Sequence, residues 1–595
     1  MKGVLSRYAL FCICALVLGV RWSMPNRSVL TWDVFGYYLY LPATVIHNDL
    51  PLRDHAWLDA VMTAYEPSST LYQLVEGPEG ARVIKYSSGM AVLFAPFFFV
   101  AHSLAGPLGF PADGFSPPYQ IAITIGALAF ALFGLLLLRK VLLHLFDDRW
   151  AALLLVLIGL GTNWFQLTAW DGTLLTHSAL FTLYAALLLA TISWHKQPSF
   201  QQALVIGGMI GFITLVRPSE LVCALIPLLW GLGNSEGRSR KWAAIKAHAP
   251  HLLLAGLAFV IAMLPQLIYW KTVTGHWLFY SYVNPGEGFD FATPHTWPFL
   301  FSSRKGWLVY TPLMLLALAG IPLLWKRKPD AAWAVLLFLL VDLWVVSSWS
   351  CWWYAGGSFS ARSMVPAYVL LVIPLGIALQ RMWRLGPLRY VLIMGTIGCL
   401  VLNLFQTWQW TQGVLKKDRV TRDYYRAIFG RTSVPKGAEA LLLVERPFTS
   451  VEQFTNEADY KGHDLFFDEF NGRPDSVLAL TPEAPFSPGP DATYDQLTLQ
   501  DHAWLRTTAR LWVSDPLQLP PTIVMTFHHE GATYKYAGGS WTIPPGTANT
   551  WITATMDYIT PEVRSKQDNV KVYIWNQHNG YHLIDDLRVQ VFEKK

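Results

Sequence analysis

Apolar residues gather into runs of roughly 15 to 22 from the N-terminus to about residue 410, and then the runs cease. About 20 apolar residues in helical form cross the hydrocarbon of a bilayer, so each run predicts a membrane helix. The clearest runs are roughly 8–22, 120–138, 151–168, 174–194, 203–217, 218–233, 251–269, 307–324, 331–348, 363–380 and 390–410, about eleven in all. The run Gly89 to Ala105 is apolar enough to be a twelfth. Counting it inverts every later loop, so it is read as a juxtamembrane or re-entrant helix. Further on the period shortens to two: Leu505, Thr507, Ala509, Leu511 and Val513, then Val570, Val572 and Ile574, then Leu587, Val589 and Val591. Such alternation marks half-buried strands. Gly538-Gly539, Pro544-Pro545-Gly546 and Asn579-Gly580 punctuate them, which predicts an antiparallel sandwich of the jelly-roll kind. The expected fold is a polytopic α-helical membrane protein over 1–410, a polar and partly helical linker over 411–440, and an all-β sandwich over 441–595.

Of 595 residues, 53% are hydrophobic and 14% charged, which excludes an ordinary soluble protein. The net charge of +5 gathers on no single face, so nucleic acid is not an expected partner. Basic clusters recur between the apolar runs: Lys2/Arg7, Arg139/Lys140/Arg149, His195/Lys196, Arg238/Arg240/Lys241/Lys246, Lys326/Arg327/Lys328 and Arg381/Arg384/Arg389. The positive-inside rule makes these cytoplasmic, the N-terminus included. An odd number of crossings then sets the C-terminal domain outside an inner or plasma membrane. The outer polar stretches become the first loop, about 23–119, then Trp164–Thr176, Tyr269–Trp307 and Ser347–Arg362. No small-x-small cleavage site precedes Arg21-Trp22, so the first run is expected as a retained helix. The five cysteines form no disulfide or zinc pattern. Metal-ligand spacings, a Gly-rich phosphate loop and Gly-x-Ser-x-Gly are also missing, which removes support for a nucleotide-fuelled pump or a hydrolase.

Asp33 follows the first run directly, among Trp32, Phe35, Tyr37, Tyr38 and Tyr40. A carboxylate there is either a helix cap or partner of Arg21 or Arg27, or a base or electrostatic partner for a reacting hydroxyl. The aromatics suit an interfacial belt or a sugar-stacking wall. Lys85 lies on the expected outer side against the charge bias, as do Arg304, Lys305 and Arg362 at the mouths of later runs. Each either snorkels or contacts phosphate, and together they would make an outer-leaflet anion site. Asp171 and His177 sit at the outer start of one run. Arg217 and Glu220 fall between two others and form a natural pair. Tyr37 and Tyr86 complete the candidates on the acceptor side.

These residues, in this order and on one side, resemble the GT-C superfamily of polytopic glycosyltransferases, including protein O-mannosyltransferases and lipid A aminoarabinose transferases. Four features over residues 1–410 carry the resemblance: Trp32-Asp33, Lys85-Tyr86-Ser87-Ser88-Gly89, the stretch Ser302 to Pro312, and the small-residue and arginine element at 356–362. The resemblance implies transfer from a polyprenyl-phosphate sugar to a lipid, glycan or protein acceptor. It gives Asp33 the role of base or acceptor orienter and Lys85 the lipid phosphate, with Arg304, Lys305 and Arg362 as weaker transfers. Val34 stands where many relatives have a second acid, and Ser87-Ser88 where many have Pro-Pro. Divalent-metal use therefore stays open, and no cofactor is otherwise implied. A transporter for lipid-linked glycans or a non-catalytic polysaccharide-assembly protein is the alternative. The C-terminal region resembles a carbohydrate-binding jelly roll, with Trp512, Trp541, Trp551 and Trp575 as stacking candidates.

Overall fold

The computed structural model describes every residue except 1–2, 25–27, 171, 284–286, 354–355, 444–450, 457, 516, 545, 562 and 579. Lys2, Arg27, Asp171, Pro545 and Asn579 thus lie outside the described residues. The chain forms two compact units: Met1–Tyr282, Thr296–Ser347 and Trp352–Leu442 in one, Val283–His295, Ser348–Cys351 and Leu443–Lys595 in the other.

The first unit is helical. Among the described residues, six helices are long and apolar enough to cross a membrane: Val4–Trp22, Pro117–Leu145, Thr176–Lys196, Ala249–Thr274, Pro329–Ser347 and Leu388–Thr411. Only 11% of the apolar window of Ala249–Thr274 is buried against protein. Its exposed Leu253, Leu257 and Ile261 would be an untenable patch in water and are ordinary in lipid. Four apolar helices are shorter, among them Gly89–Ala105, Phe200–Val216 and Tyr368–Met382.

Three expected runs are not single helices. The run 151–168 divides into Asp148–Gly161, capped by Asp147, and Trp164–Ala169. The run 307–324 breaks at Pro312 and Pro322, because proline supplies no N–H and clashes with the preceding turn. The run 218–233 is a 3-10 turn, Pro218–Ala224, followed by Leu225–Leu229. Lys241, counted above among cytoplasmic charges, is buried here. Its Nζ donates to the carbonyls of Pro227, Leu228 and Trp230 at 2.9, 2.6 and 2.9 Å, serving the open end of that short helix.

The first polar stretch is well structured. Short helices Asp33–Tyr38 and Tyr40–Val45 lead to His55–Tyr65, whose cap is Asp54. A hairpin of β1 (Leu74–Glu76) and β2 (Arg82–Ile84) follows, and the Lys85 N–H extends its ladder to the Gln73 carbonyl at 2.8 Å. The stretch 411–440 packs with this unit: Val414, Leu415, Val420, Tyr424 and Ile428 share a core with Tyr310, Phe359 and Trp410.

The second unit holds β3 (Tyr460–Asp468), β4 (Leu478–Leu480), β5 (Asp491–Thr493), β6 (Trp504–Val513), β7 (Thr522–His529), β8 (Ala532–Ser540), β9 (Thr550–Ile559), β10 (Asn569–Trp575) and β11 (His582–Lys594). One sheet runs β5-β10-β7-β8 and the other β3-β11-β6-β9, with β4 also on β11. All pairings are antiparallel, and this is the strand order of a double-sheet jelly roll. Alternate residues from both sheets fill the core, including Leu511, Ile523, Ile574 and Leu587. Trp541 belongs to that core and is no stacking platform, because burial removes its face from solvent.

Candidate functional site

Asp33 is the first residue of its short helix, entered through Trp32 at φ +53°. A left-handed tryptophan is strained and needs support. Its N–H donates to the Pro67 carbonyl at 2.8 Å, and its own carbonyl accepts from Gln73 Nε2 at 3.1 Å. The Asp33 carboxylate makes no capping bond and turns instead toward the loops. Oδ1 accepts the hydroxyls of Tyr72 and Tyr86 at 2.8 and 2.7 Å. Oδ2 accepts Arg362 Nη2 at 3.2 Å, so the ionic partner is Arg362 rather than Arg21. A quarter of the side chain, 25%, stays exposed.

Tyr86 reaches Asp33 because position 36 is glycine: a Cβ there would stand 2.6 Å from the Tyr86 ring. Tyr37 meets the same ring edge-on, with centroids 4.6 Å apart. Lys85 is buried with its Nζ among the rings of Tyr282, Tyr72 and Tyr86, at 5.1, 5.8 and 5.9 Å from their centroids. An ammonium facing three π clouds and a nearby carboxylate is well stabilised away from water. Ser281 Oγ donates to the Lys85 carbonyl at 2.6 Å, tying the segment after helix Ala249–Thr274 to the site.

Burial opposes the charge on Asp33, but Arg362, the hydroxyls of Tyr86 and Tyr72, and Lys85 outweigh it. The carboxyl therefore lies below its ordinary value and is ionised at neutral pH. A general base tuned upward toward working pH is not what the geometry makes. Burial first, and then the Asp33 charge, push Tyr37, Tyr72 and Tyr86 upward, so all three stay protonated donors.

Arg362 comes from the loop at 356–362. Gly357 sits at φ +67°, and a Cβ on it would lie 2.5 Å from Arg362 Nη1. Its carbonyl accepts Gln166 Nε2 at 3.2 Å, and the next carbonyl, of Ser358, accepts Lys305 Nζ. The structure therefore gathers Asp33, Lys85 and Arg362, with Tyr37 and Tyr86, at one place. Arg304 and Lys305 turn their charges into protein. Arg304 pairs with Asp418 at 3.0 Å and stacks 4.0 Å from the Trp353 centroid. Lys305 also donates to the Lys417 carbonyl at 2.7 Å and lies over Trp410. Burial pushes its ammonium down to about 7.

His177, buried at the start of Thr176–Lys196, is within electrostatic reach of Arg217 and Arg362, and Arg217 likewise influences Tyr37. Behind Arg217, the Glu220 carboxylate accepts the Tyr184 hydroxyl at 2.7 Å. Asp342, on helix Pro329–Ser347, is buried within electrostatic reach of both Glu220 and Arg217. Sequence reasoning missed Asp342, Tyr72 and Tyr282. The first carried a signal, a lone carboxylate inside an apolar run. Among the described residues no three His, Cys, Asp or Glu side chains come together to hold a metal ion. The arrangement offers fixed cations for an anionic group beside an ionised, partly exposed acceptor of hydrogen bonds.

No protein-family model and no curated protein matches the chain. It is similar to solved structures that include the following two. The Archaeoglobus fulgidus oligosaccharyltransferase, tethered by a disulfide to an acceptor peptide with the NVT sequon, has 15% identity and a TM-score of 0.39 over 75% of this chain and 60% of that one. The arabinosyltransferase EmbB from Mycobacterium smegmatis has 11% identity and a TM-score of 0.34 over 99% of this chain and 64% of that one. This chain thus spans less than two thirds of either protein, and likeness at these scores carries no functional weight.

Proposed function

We propose that the chain is a membrane glycosyltransferase that moves a sugar from a polyprenyl-phosphate donor to an acceptor hydroxyl on the extracytoplasmic face. One observation carries this reading: an ionised, partly exposed Asp33 held between Arg362, Lys85 and two tyrosine hydroxyls. The donor phosphate lies against Lys85 and Arg362, with Arg217 behind, and gains charge as its bond to the anomeric carbon breaks. The acceptor hydroxyl donates to Asp33 Oδ2, attacks that carbon with inversion, and passes its proton to Oδ2 late, once the new C–O bond has made it acidic enough to protonate a carboxylate of low pKa. The lipid phosphate departs with the bonding electrons. His177 and Tyr37 border the acceptor, while Arg304 and Lys305 brace the loop that presents Arg362. With this goes the orientation proposed from charge: about eleven crossings, N-terminus cytoplasmic, β unit outside.

The test is transfer of radiolabelled sugar from lipid-linked donor in membranes. Asp33→Asn is expected to lower it by about two orders of magnitude. Undiminished transfer by a normally folded variant would sink the assignment. A second reading, a transporter of lipid-linked glycan, is favoured by the buried carboxylates Glu220 and Asp342, within electrostatic reach of Arg217, in the helical unit. Transfer that persists in detergent, where no two sides exist, decides against it.

A further inference from the structure

In the β unit, β10 alternates strictly: Val570, Val572 and Ile574 enter the core, while Asn569, Lys571, Tyr573 and Trp575 face outward from the sheet β5-β10-β7-β8. Phe486 lies beside them and is 55% exposed, a large apolar ring left facing solvent. Its centroid is 5.7 Å from Tyr573 and 6.0 Å from Trp575, nearly parallel to the latter at 23°. Phe486 and Trp575 present near-parallel faces, and Tyr573 stands edge-on to Phe486 at 78° beside them. Next to it Lys571 Nζ pairs with Asp491 Oδ2 at 2.8 Å, and Asn569 Nδ2 donates to Asp491 Oδ1 at 2.9 Å. A cleft of about 350 Å³ runs between rings and ion pair, lined by Phe486, Asp491, Lys571 and Tyr573. A second, of about 690 Å³, begins at the same Lys571 and continues past Asn569.

We propose that this face is a binding groove for a neutral, hydroxyl-rich glycan of more than one sugar. Aromatic faces take the C–H face of a sugar ring, and the fixed carboxylate, amide and ammonium offer both acceptors and donors to its hydroxyls. The paired charges of Lys571 and Asp491 cancel, which favours an uncharged ligand over a phosphate or uronic acid. A peptide adding a strand beside these rings meets an obstacle, because β5, the edge strand on that side of the sheet, has three residues and follows Pro488 and Pro490. Of the four tryptophans expected from sequence, Trp575 belongs to this groove, Trp541 is in the core, and Trp512 and Trp551 pair with each other at 5.6 Å on the opposite sheet. The proposal does not depend on sugar transfer by the helical unit.

The full chain in detergent is titrated against a printed panel of soluble neutral oligosaccharides built from hexoses, pentoses and deoxyhexoses. At least one is expected to bind, Phe486→Ala and Tyr573→Ala are each expected to weaken it about tenfold, and Trp512→Ala is expected to leave it unchanged. Lys571→Gln, which keeps the rings, tests the polar half should a ring variant unfold. No binding by the unmodified chain to any oligosaccharide overturns the proposal. So does binding that well-folded Phe486, Tyr573 and Lys571 variants leave intact.

Discussion

At the scale of single residues, Asp33 is a carboxylate whose surroundings favour its charge more than burial opposes it. Because its folded value is the lower one, it adds stability above the unfolded carboxylate range, near about 3.9, and that contribution fades as pH falls through the folded value. Transfer is therefore expected to hold its rate down to unusually acid pH. Tyr86→Phe removes a hydroxyl that stabilises the carboxylate, so the acid limb of kcat/KM is expected to move upward by about half a unit to one unit. A pH profile of the variant measures it, and an unmoved limb would show that Asp33 ionisation does not control transfer. Asp33, Lys85 and Arg362 were legible because each is a charge where lipid or the positive-inside bias argues against one. Arg304 and Lys305 break the same rule, yet Asp418 and backbone carbonyls account for them, and no one-dimensional pattern reveals such partners. Tyr72 and Tyr282 stand in loops, where periodicity carries no information.

At the scale of elements, the loop at 356–362 offers a matched pair of glycines. Gly356 and Gly357 both have positive φ, +75° and +67°, so alanine at either costs about 1 kcal/mol in backbone strain. Only at Gly357 does the added Cβ strike Arg362; at Gly356 it meets nothing within 4 Å. Gly357→Ala is expected to raise the KM for lipid-linked donor about tenfold or more, since a displaced guanidinium weakens its hold on phosphate. Gly356→Ala is expected to leave KM nearly unchanged at similar thermal stability. Equal kinetics from the two would mean that Arg362 does not meet the donor. Helices and strands themselves were largely visible in the sequence, since periods of 3.6 and 2 follow directly from which faces meet apolar surroundings. Their interruptions were less so. Pro312 breaks one run, whereas Pro96, Pro265 and Pro374 sit inside continuous helices, and packing rather than residue type separates the cases.

At the scale of the whole molecule, the β unit is not a simple C-terminal appendage. It includes Val283–His295 and Ser348–Cys351, whose Phe289 and Trp349 form a β-bridge. The Asp290 N–H donates to the Ser348 carbonyl at 2.7 Å, and Asp290 pairs with Lys535 of β8 at 3.7 Å. A contact between residues so far apart in sequence has no signature in local pattern, which is why the boundary near 440 hid it. Val283–His295 is joined directly to Tyr282, one of the rings around Lys85, and Ser348–Cys351 leads into the chain that carries Trp353 and Arg362. Ending the chain at Leu442 removes the strands that order both segments, and each added loop freedom costs conformational entropy on binding. The truncated chain is expected to insert into membranes with its helices intact, yet to transfer sugar at least about tenfold more slowly at low donor concentration, with KM affected more than kcat. Asp290→Ala in the full chain, which cuts the tie to Lys535 while keeping every strand, is expected to shift KM in the same direction by less. Donor titrations of both proteins in native membranes provide the measurement. Unchanged KM in the truncated chain would mean that Tyr282 and Arg362 hold their positions from the helical unit alone.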